Sequence, residues 1–122
     1  MKSWGKHAII NAHRCGLLHI TSHRTLLAFN QRLLKAIDMK PYGEPFLEKF
    51  GEGHLAGYTL IQPIHTSSLV FHFADKTGDL YGDVFSCKWF DENVVKAVIQ
   101  DQFNPITIDV KSIDRQAGVP MH

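Results

Sequence analysis

The spacing of apolar residues changes repeatedly along this chain, and each change marks an expected element. Residues 7–12, His-Ala-Ile-Ile-Asn-Ala, form a short apolar run that predicts a strand. Beyond it, Leu26, Phe29, Leu33, Leu34 and Ile37 recur at steps of three and four, the period of one helix face. Thr21 or Ser22 supplies a hydroxyl to cap that helix, and Pro41 stops it. The segment from Lys40 to Gly53 holds two Pro and three Gly and predicts a loop. Three runs rich in β-branched and aromatic residues follow: Leu55 to Ile61, Leu69 to Phe73, and Leu80 to Phe85. Asp75-Lys76-Thr77-Gly78-Asp79 has the residues of a hairpin turn between the last two. Asp91 caps a second helix with Val94, Val95, Val98 and Ile99 on one face. After Pro105, Ile106-Thr107-Ile108-Asp109-Val110 alternates with period two, as a half-buried strand does.

The expected order is therefore β-α-β-β-β-α-β. Short turns between successive strands make an antiparallel sheet, and two amphipathic helices cover one face of it. This is an α+β fold, a two-layer α/β sandwich, with residues 1–122 as a single domain. The uncovered sheet face also carries apolar side chains, which predicts a second copy packed there and hence a homodimer.

Composition narrows the function classes. The chain is 44% hydrophobic and 20% charged, enough to bury a core and too apolar for disorder. Its formal net charge is +1 and no basic block stands out, so no nucleic acid is expected. No apolar run reaches the roughly 18 residues of a membrane span. The opening Met1-Lys2-Ser3-Trp4-Gly5-Lys6-His7 lacks the apolar stretch of a secretory signal. A cytoplasmic protein with Cys15 and Cys87 as free thiols is the expectation.

Eight histidines raise the question of a metal site. Cys15, His19 and His23 are four apart, but the capping residues start the helix near Ser22, so the first two precede it. Surface histidines and no metal are the expectation. A serine or cysteine hydrolase is also conceivable from Ser67, His72 and Cys87, yet no Gly-x-Ser-x-Gly elbow is present. The phosphate-binding glycine patterns are absent too. An antiparallel hairpin would return Cys87 toward Ser67, and the three residues are expected to share one end of the sheet.

Two stretches resemble the short bacterial S-adenosylmethionine decarboxylases. One is Gly5-Lys6-His7-Ala8-Ile9-Ile10, with Cys15-Gly16 after it. The other runs without a gap from Ser67 through Phe71-His72 to Asp83-Val84-Phe85-Ser86-Cys87. The resemblance implies a pyruvoyl-dependent decarboxylase acting on a small-molecule substrate, made as a proenzyme that cuts itself between Thr66 and Ser67. Residues 1–66 would then be the β fragment and 67–122 the α fragment. Decarboxylation leaves a carbanion, and the pyruvoyl carbonyl derived from Ser67 would be its electron sink. By the same resemblance Ser67 attacks the Thr66 carbonyl, and His72 helps remove the Ser67 α-proton. Thr59 stands where the family has a serine that assists processing, and Cys87 would protonate the product carbon.

The chain departs from the family at definite places. Thr66 replaces the usual Glu before the cleavage serine, and Ser68 replaces the following His. Ala74-Asp75-Lys76 stands where the family has Trp-Pro-Glu, whose glutamate holds the ribose hydroxyls of the nucleoside. Lys76 cannot accept those hydrogen bonds. Three readings follow. The first is an S-adenosylmethionine decarboxylase serving spermidine synthesis. The second is a pyruvoyl enzyme acting on a basic amino acid such as ornithine or arginine. The third is an unprocessed, non-catalytic relative.

Overall fold

In the computed structural model, which describes residues 3–118, the first apolar run extends at both ends into β1, Gly5–His13. A four-residue helix α1, Leu17–Ile20, precedes α2, His23–Ala36. Ser22 caps α2, its hydroxyl accepting the Thr25 N–H at 3.2 Å. The expected apolar face of α2 is buried, and Asn30 lies on it as well. The helix ends before Pro41 is reached, because Asp38 turns left-handed at φ 55° and the chain leaves the helix there.

The loop expected over Lys40–Gly53 holds a strand, β2, Phe46–Phe50. Only Leu47 of it is buried, as suits an edge strand. Next come β3, Gly57–Ile64, then β4, Ser67–Ala74, and β5, Asp79–Ser86. Helix α3, Glu92–Phe103, is capped by Asp91 as expected, and β6, Thr107–Arg115, is the last described element. The six strands are antiparallel in the order β2-β3-β4-β5-β1-β6.

Alternation along the strands sorts the side chains into two faces. Ala8, Ile10, Leu60, Phe71, Leu80 and Val84 point beneath the helices and are fully buried. Phe29 of α2 joins the layers, edge-on to Phe71 at 5.1 Å and to Phe103 of α3 at 4.8 Å. The opposite face has no helix over it among the described residues. It carries Ile61, Phe46 and Phe50 at 37%, 47% and 56% exposure. No helix among the described residues is long and apolar enough to cross a membrane.

Candidate active site

A two-residue turn, His65–Thr66, joins β3 to β4, and Ile64 pairs with Ser67 across it. The Thr66–Ser67 peptide bond therefore lies at the tip of a tight hairpin. On its other side β4 pairs with β5, Ser67 opposite Ser86. One step further, the Cys87 N–H donates to the Thr66 carbonyl at 2.9 Å. The Thr66 hydroxyl and the Cys87 sulfur are 2.8 Å apart. The Thr66 side chain, and after it the Thr66 backbone, holds the Cys87 thiol below its ordinary pKa. Cys15 is the opposite case: burial pushes its thiol up to about 11.

Two anchors fix the chain around Cys87. The buried Ser86 hydroxyl accepts the Lys88 N–H at 2.9 Å and contacts the Met39 sulfur at 3.6 Å. Lys6, nearly buried, donates to the Phe90 carbonyl at 2.8 Å and pairs with Glu92. Lys6 also lies 5.1 Å from the Phe90 ring centre. Sequence reasoning had Lys6 only as part of Gly-Lys-His, and nothing in that motif signals a buried ammonium.

His72 is not at this end of the sheet, contrary to the expectation. The antiparallel return carries Cys87 back to the turn, but His72 lies five residues along β4, about 16 Å away at the ordinary rise of a strand. Five is odd, so His72 also points to the opposite face from Ser67. It faces Thr59 on β3 and Tyr81 on β5. The Thr59 hydroxyl is 3.0 Å from His72 Nδ1. The structure therefore forms two clusters, Thr66–Ser67–Cys87 at one end and Thr59–His72 toward the other. Cys87, Thr59 and His72 all belong to the uncovered face.

Asp75 and Lys76 fall in the turn after β4, beyond the strand. The Asp75 carboxylate is held by Lys49 at 2.7 Å, and that hydrogen bond raises the Lys49 pKa. Lys49 shares the helix side of β2 with Leu47, so this carboxylate is drawn away from the open face.

A cleft of about 500 Å³ opens beside the hairpin end, lined by Trp4, Phe85, Ile113, Arg115 and Gln116 among others. Trp4 and Phe85 rings are 5.6 Å apart, and the Arg115 guanidinium stacks 4.5 Å from the Phe85 centre. Phe85 pairs with Ser68, one residue from the Thr66–Ser67 peptide bond. Trp4 and Arg115 escaped the sequence reading because they are far apart in sequence and only the β1–β6 register, with Gly5 opposite Arg115, brings them together.

The family model described as S-adenosylmethionine decarboxylase matches residues 6–116. No curated protein matches the sequence. Among solved structures, an adenosylmethionine decarboxylase from Aquifex aeolicus VF5 superposes with a TM-score of 0.81. That match has 18% sequence identity and covers 100% of this chain and 98% of the other. At that identity the superposition speaks for the fold. The family match, in contrast, takes in all but the first residue of β1, the hairpin and all of β4 to β6, and so the chain belongs to the S-adenosylmethionine decarboxylase family.

Proposed function

We propose that this chain is a self-processing, pyruvoyl-dependent decarboxylase of S-adenosylmethionine, supplying the aminopropyl donor for spermidine. The carrying observation is the Thr66 carbonyl at a hairpin tip, already accepting the Cys87 N–H at 2.9 Å. When the neighbouring Ser67 hydroxyl attacks that carbonyl, negative charge grows on an oxygen that has a fixed donor. Ser67 sits at the first position of β4 and is only partly buried, so its environment fits conversion to a pyruvoyl group. When formed, that group supplies a carbonyl that takes up the electron pair released with carbon dioxide. Cys87, just past the end of β5 and hydrogen-bonded to that turn, is partly exposed and would hand a proton to the resulting carbon. The Trp4–Phe85 cleft offers aromatic faces and a volume suited to a nucleoside-sized ligand.

The proposal includes a second copy. Ser67 and His72 of one chain are too far apart to exchange a proton, and the face that carries His72 is open and apolar. An isologous two-fold crossing β4 near Val70, in the plane between two facing sheets, lays the Ser67 end of one copy over the His72 end of the other. Facing sheets pack about 10 Å apart, within side-chain reach.

A basic amino acid is the second reading of the substrate, favoured by Asp75 being tied to Lys49 instead of standing ready for ribose hydroxyls. The intact mass of freshly purified protein, with and without a carbonyl-reactive amine, tests the processing. Fragments 1–66 and 67–122 are expected, the second gaining the amine. A single uncut chain in every preparation refutes it. Carbon dioxide release from S-adenosylmethionine, ornithine and arginine then separates the substrates.

A further inference from the structure

Cleavage at Thr66–Ser67 does more than make a new N-terminus at 67. It also makes a new C-terminus at Thr66, and the fold decides where that goes. The inference rests on the processing proposed above, whose atoms balance. The Ser67 oxygen bonds to the Thr66 carbonyl carbon and the C–N bond breaks, the hydroxyl proton passing to the nitrogen. Loss of the Ser67 α-proton then breaks the Cβ–O bond and releases Thr66 as a carboxylate. One water enters and one ammonia leaves as the ketone forms.

The two fragments cannot drift apart. In the order β2-β3-β4-β5-β1-β6, the strands β2, β3 and β1 belong to the first fragment and β4, β5 and β6 to the second. β1 is thus hydrogen-bonded on both sides to the other fragment, to β5 over Lys6–Ala12 and to β6 over Gly5–His13. β3 stays paired with β4 from Thr59 to Ile64. Ile64 is also bridged to Pro41, and the His65 N–H donates to the Lys40 carbonyl at 3.1 Å, so the first fragment is tied down to within one residue of its new end.

We infer that the Thr66 carboxylate remains on the Cys87 N–H and keeps the Cys87 thiol protonated, making Thr66 a positioning residue for the proton donor. Its oxygen is the one already 2.9 Å from that N–H, and its hydroxyl is already 2.8 Å from the sulfur. A charged acceptor strengthens the first bond. A negative charge beside a thiol disfavours the thiolate. In the uncut chain the same residue acts the other way, its hydroxyl and backbone stabilising the thiolate. Cleavage therefore turns the thiol toward the acid form as the ketone that needs an acid appears.

Other charges around Cys87 are already engaged. Lys88 pairs with Asp38 at 2.9 Å, Lys6 with Glu92, and His7 with Asp83 at 2.8 Å. Arg115 stacks on Phe85, the Asp91 carboxylate accepts the Asn93 N–H, and His65 lies edge-on to Tyr42 at 5.2 Å. None of these is created or removed by the cut.

The test is the pH dependence of Cys87 alkylation by iodoacetamide, read by peptide mass spectrometry, in cleaved protein and in uncut Ser67→Ala. Buried Cys15 serves as the internal reference. The midpoint is expected about one pH unit or more higher in the cleaved protein, a difference that shrinks in 1 M salt. It should survive reduction of the ketone with borohydride, because the carboxylate is untouched. If Ser67→Ala does not fold, uncut His72→Ala replaces it. An equal or lower midpoint after cleavage overturns the inference alone, as does a shift that vanishes on ketone reduction. Failure of the parent chain to cleave overturns it together with the processing it rests on.

Discussion

Mixing two inactive variants tests whether processing is completed by a second copy. Ser67→Ala removes the attacking hydroxyl, and His72→Ala removes the imidazole assigned to the α-proton. Within one chain these groups are five positions apart on β4, about 16 Å, and point to opposite faces. Proton transfer requires contact near 3 Å, so no side-chain rotation closes that gap. Each variant alone should therefore stay largely uncut, His72→Ala being slowed about 100-fold or more by loss of its base. Equal amounts assembled at random give mixed dimers as about half of the total. In each mixed dimer the His72→Ala chain keeps Ser67 and meets the intact imidazole of its partner, while the reciprocal site has neither group. About half of the His72→Ala chains, a quarter of all chains, should then cleave. Co-expression with distinguishable tags, followed by a denaturing gel and intact mass, reads this fraction directly. Tag-verified mixed dimers without cleavage would falsify assembly of the site from two copies. Parent-like cleavage of His72→Ala by itself would remove His72 from the chemistry.

Two stability measurements probe what holds the hairpin in place. A Cβ at Gly82 would lie 2.4 Å from Cε1 of Phe71, a fully buried ring locked against Phe29. Gly82→Ala should cost about 1–3 kcal/mol and lower the melting temperature by about 4–12 °C in a thermal scan, and an unchanged melting point would contradict this packing. Lys6→Met leaves Glu92 without its partner; because Glu92 is 31% exposed, the loss should be about 1–2 kcal/mol, not the roughly 3–5 of a fully buried pair. Lys6, then the Glu92 backbone, holds the Glu92 pKa below the ordinary glutamate value. The stability from that pair is present above the unfolded carboxylate value and is lost as pH falls through the lower folded one. Urea unfolding across that window should show a slope in the parent that flattens in Lys6→Met, and parallel slopes would count against the pair.

What the sequence made legible is what a period reports. The face of α2 through Leu26, Phe29, Leu33 and Leu34, the Asp91 cap, and the strand runs 69–73 and 80–85 all lie where spacing placed them. β2 was hidden because an edge strand buries a single residue and sits among Gly and Pro that also suit a loop. Asn30 was invisible for another reason: its amide faces the core and bonds Gln62 at 3.0 Å, a pairing no helical period encodes. In the site, the return of Cys87 to the turn followed from hairpin topology. The misplacement of His72 came from treating nearness in sequence as nearness in space. An odd offset along a strand reverses the face, and five residues of extended chain outrun any side chain.

The departures from the family pattern act on two different kinds of group. What the proposed processing would ask of position 66 is a carbonyl at the hairpin tip, beside the Cys87 N–H, and any residue provides that carbonyl and the carboxylate that would follow from it. Threonine in place of glutamate therefore leaves intact the backbone geometry that the proposed cut needs. Ser68 lies on the open face opposite Phe85, where a smaller side chain changes the shape next to the cleft but not the turn. The Ala74-Asp75-Lys76 segment is different, because ribose recognition depends on a side-chain carboxylate and the one present is bound by Lys49 on the other side of the sheet. On the proposed reading, self-cleavage would run mainly on main-chain groups that substitution does not remove, whereas substrate recognition would run on side chains that it does. If the proposed processing holds, a chain of this fold could change what it decarboxylates while still cutting itself at the same bond.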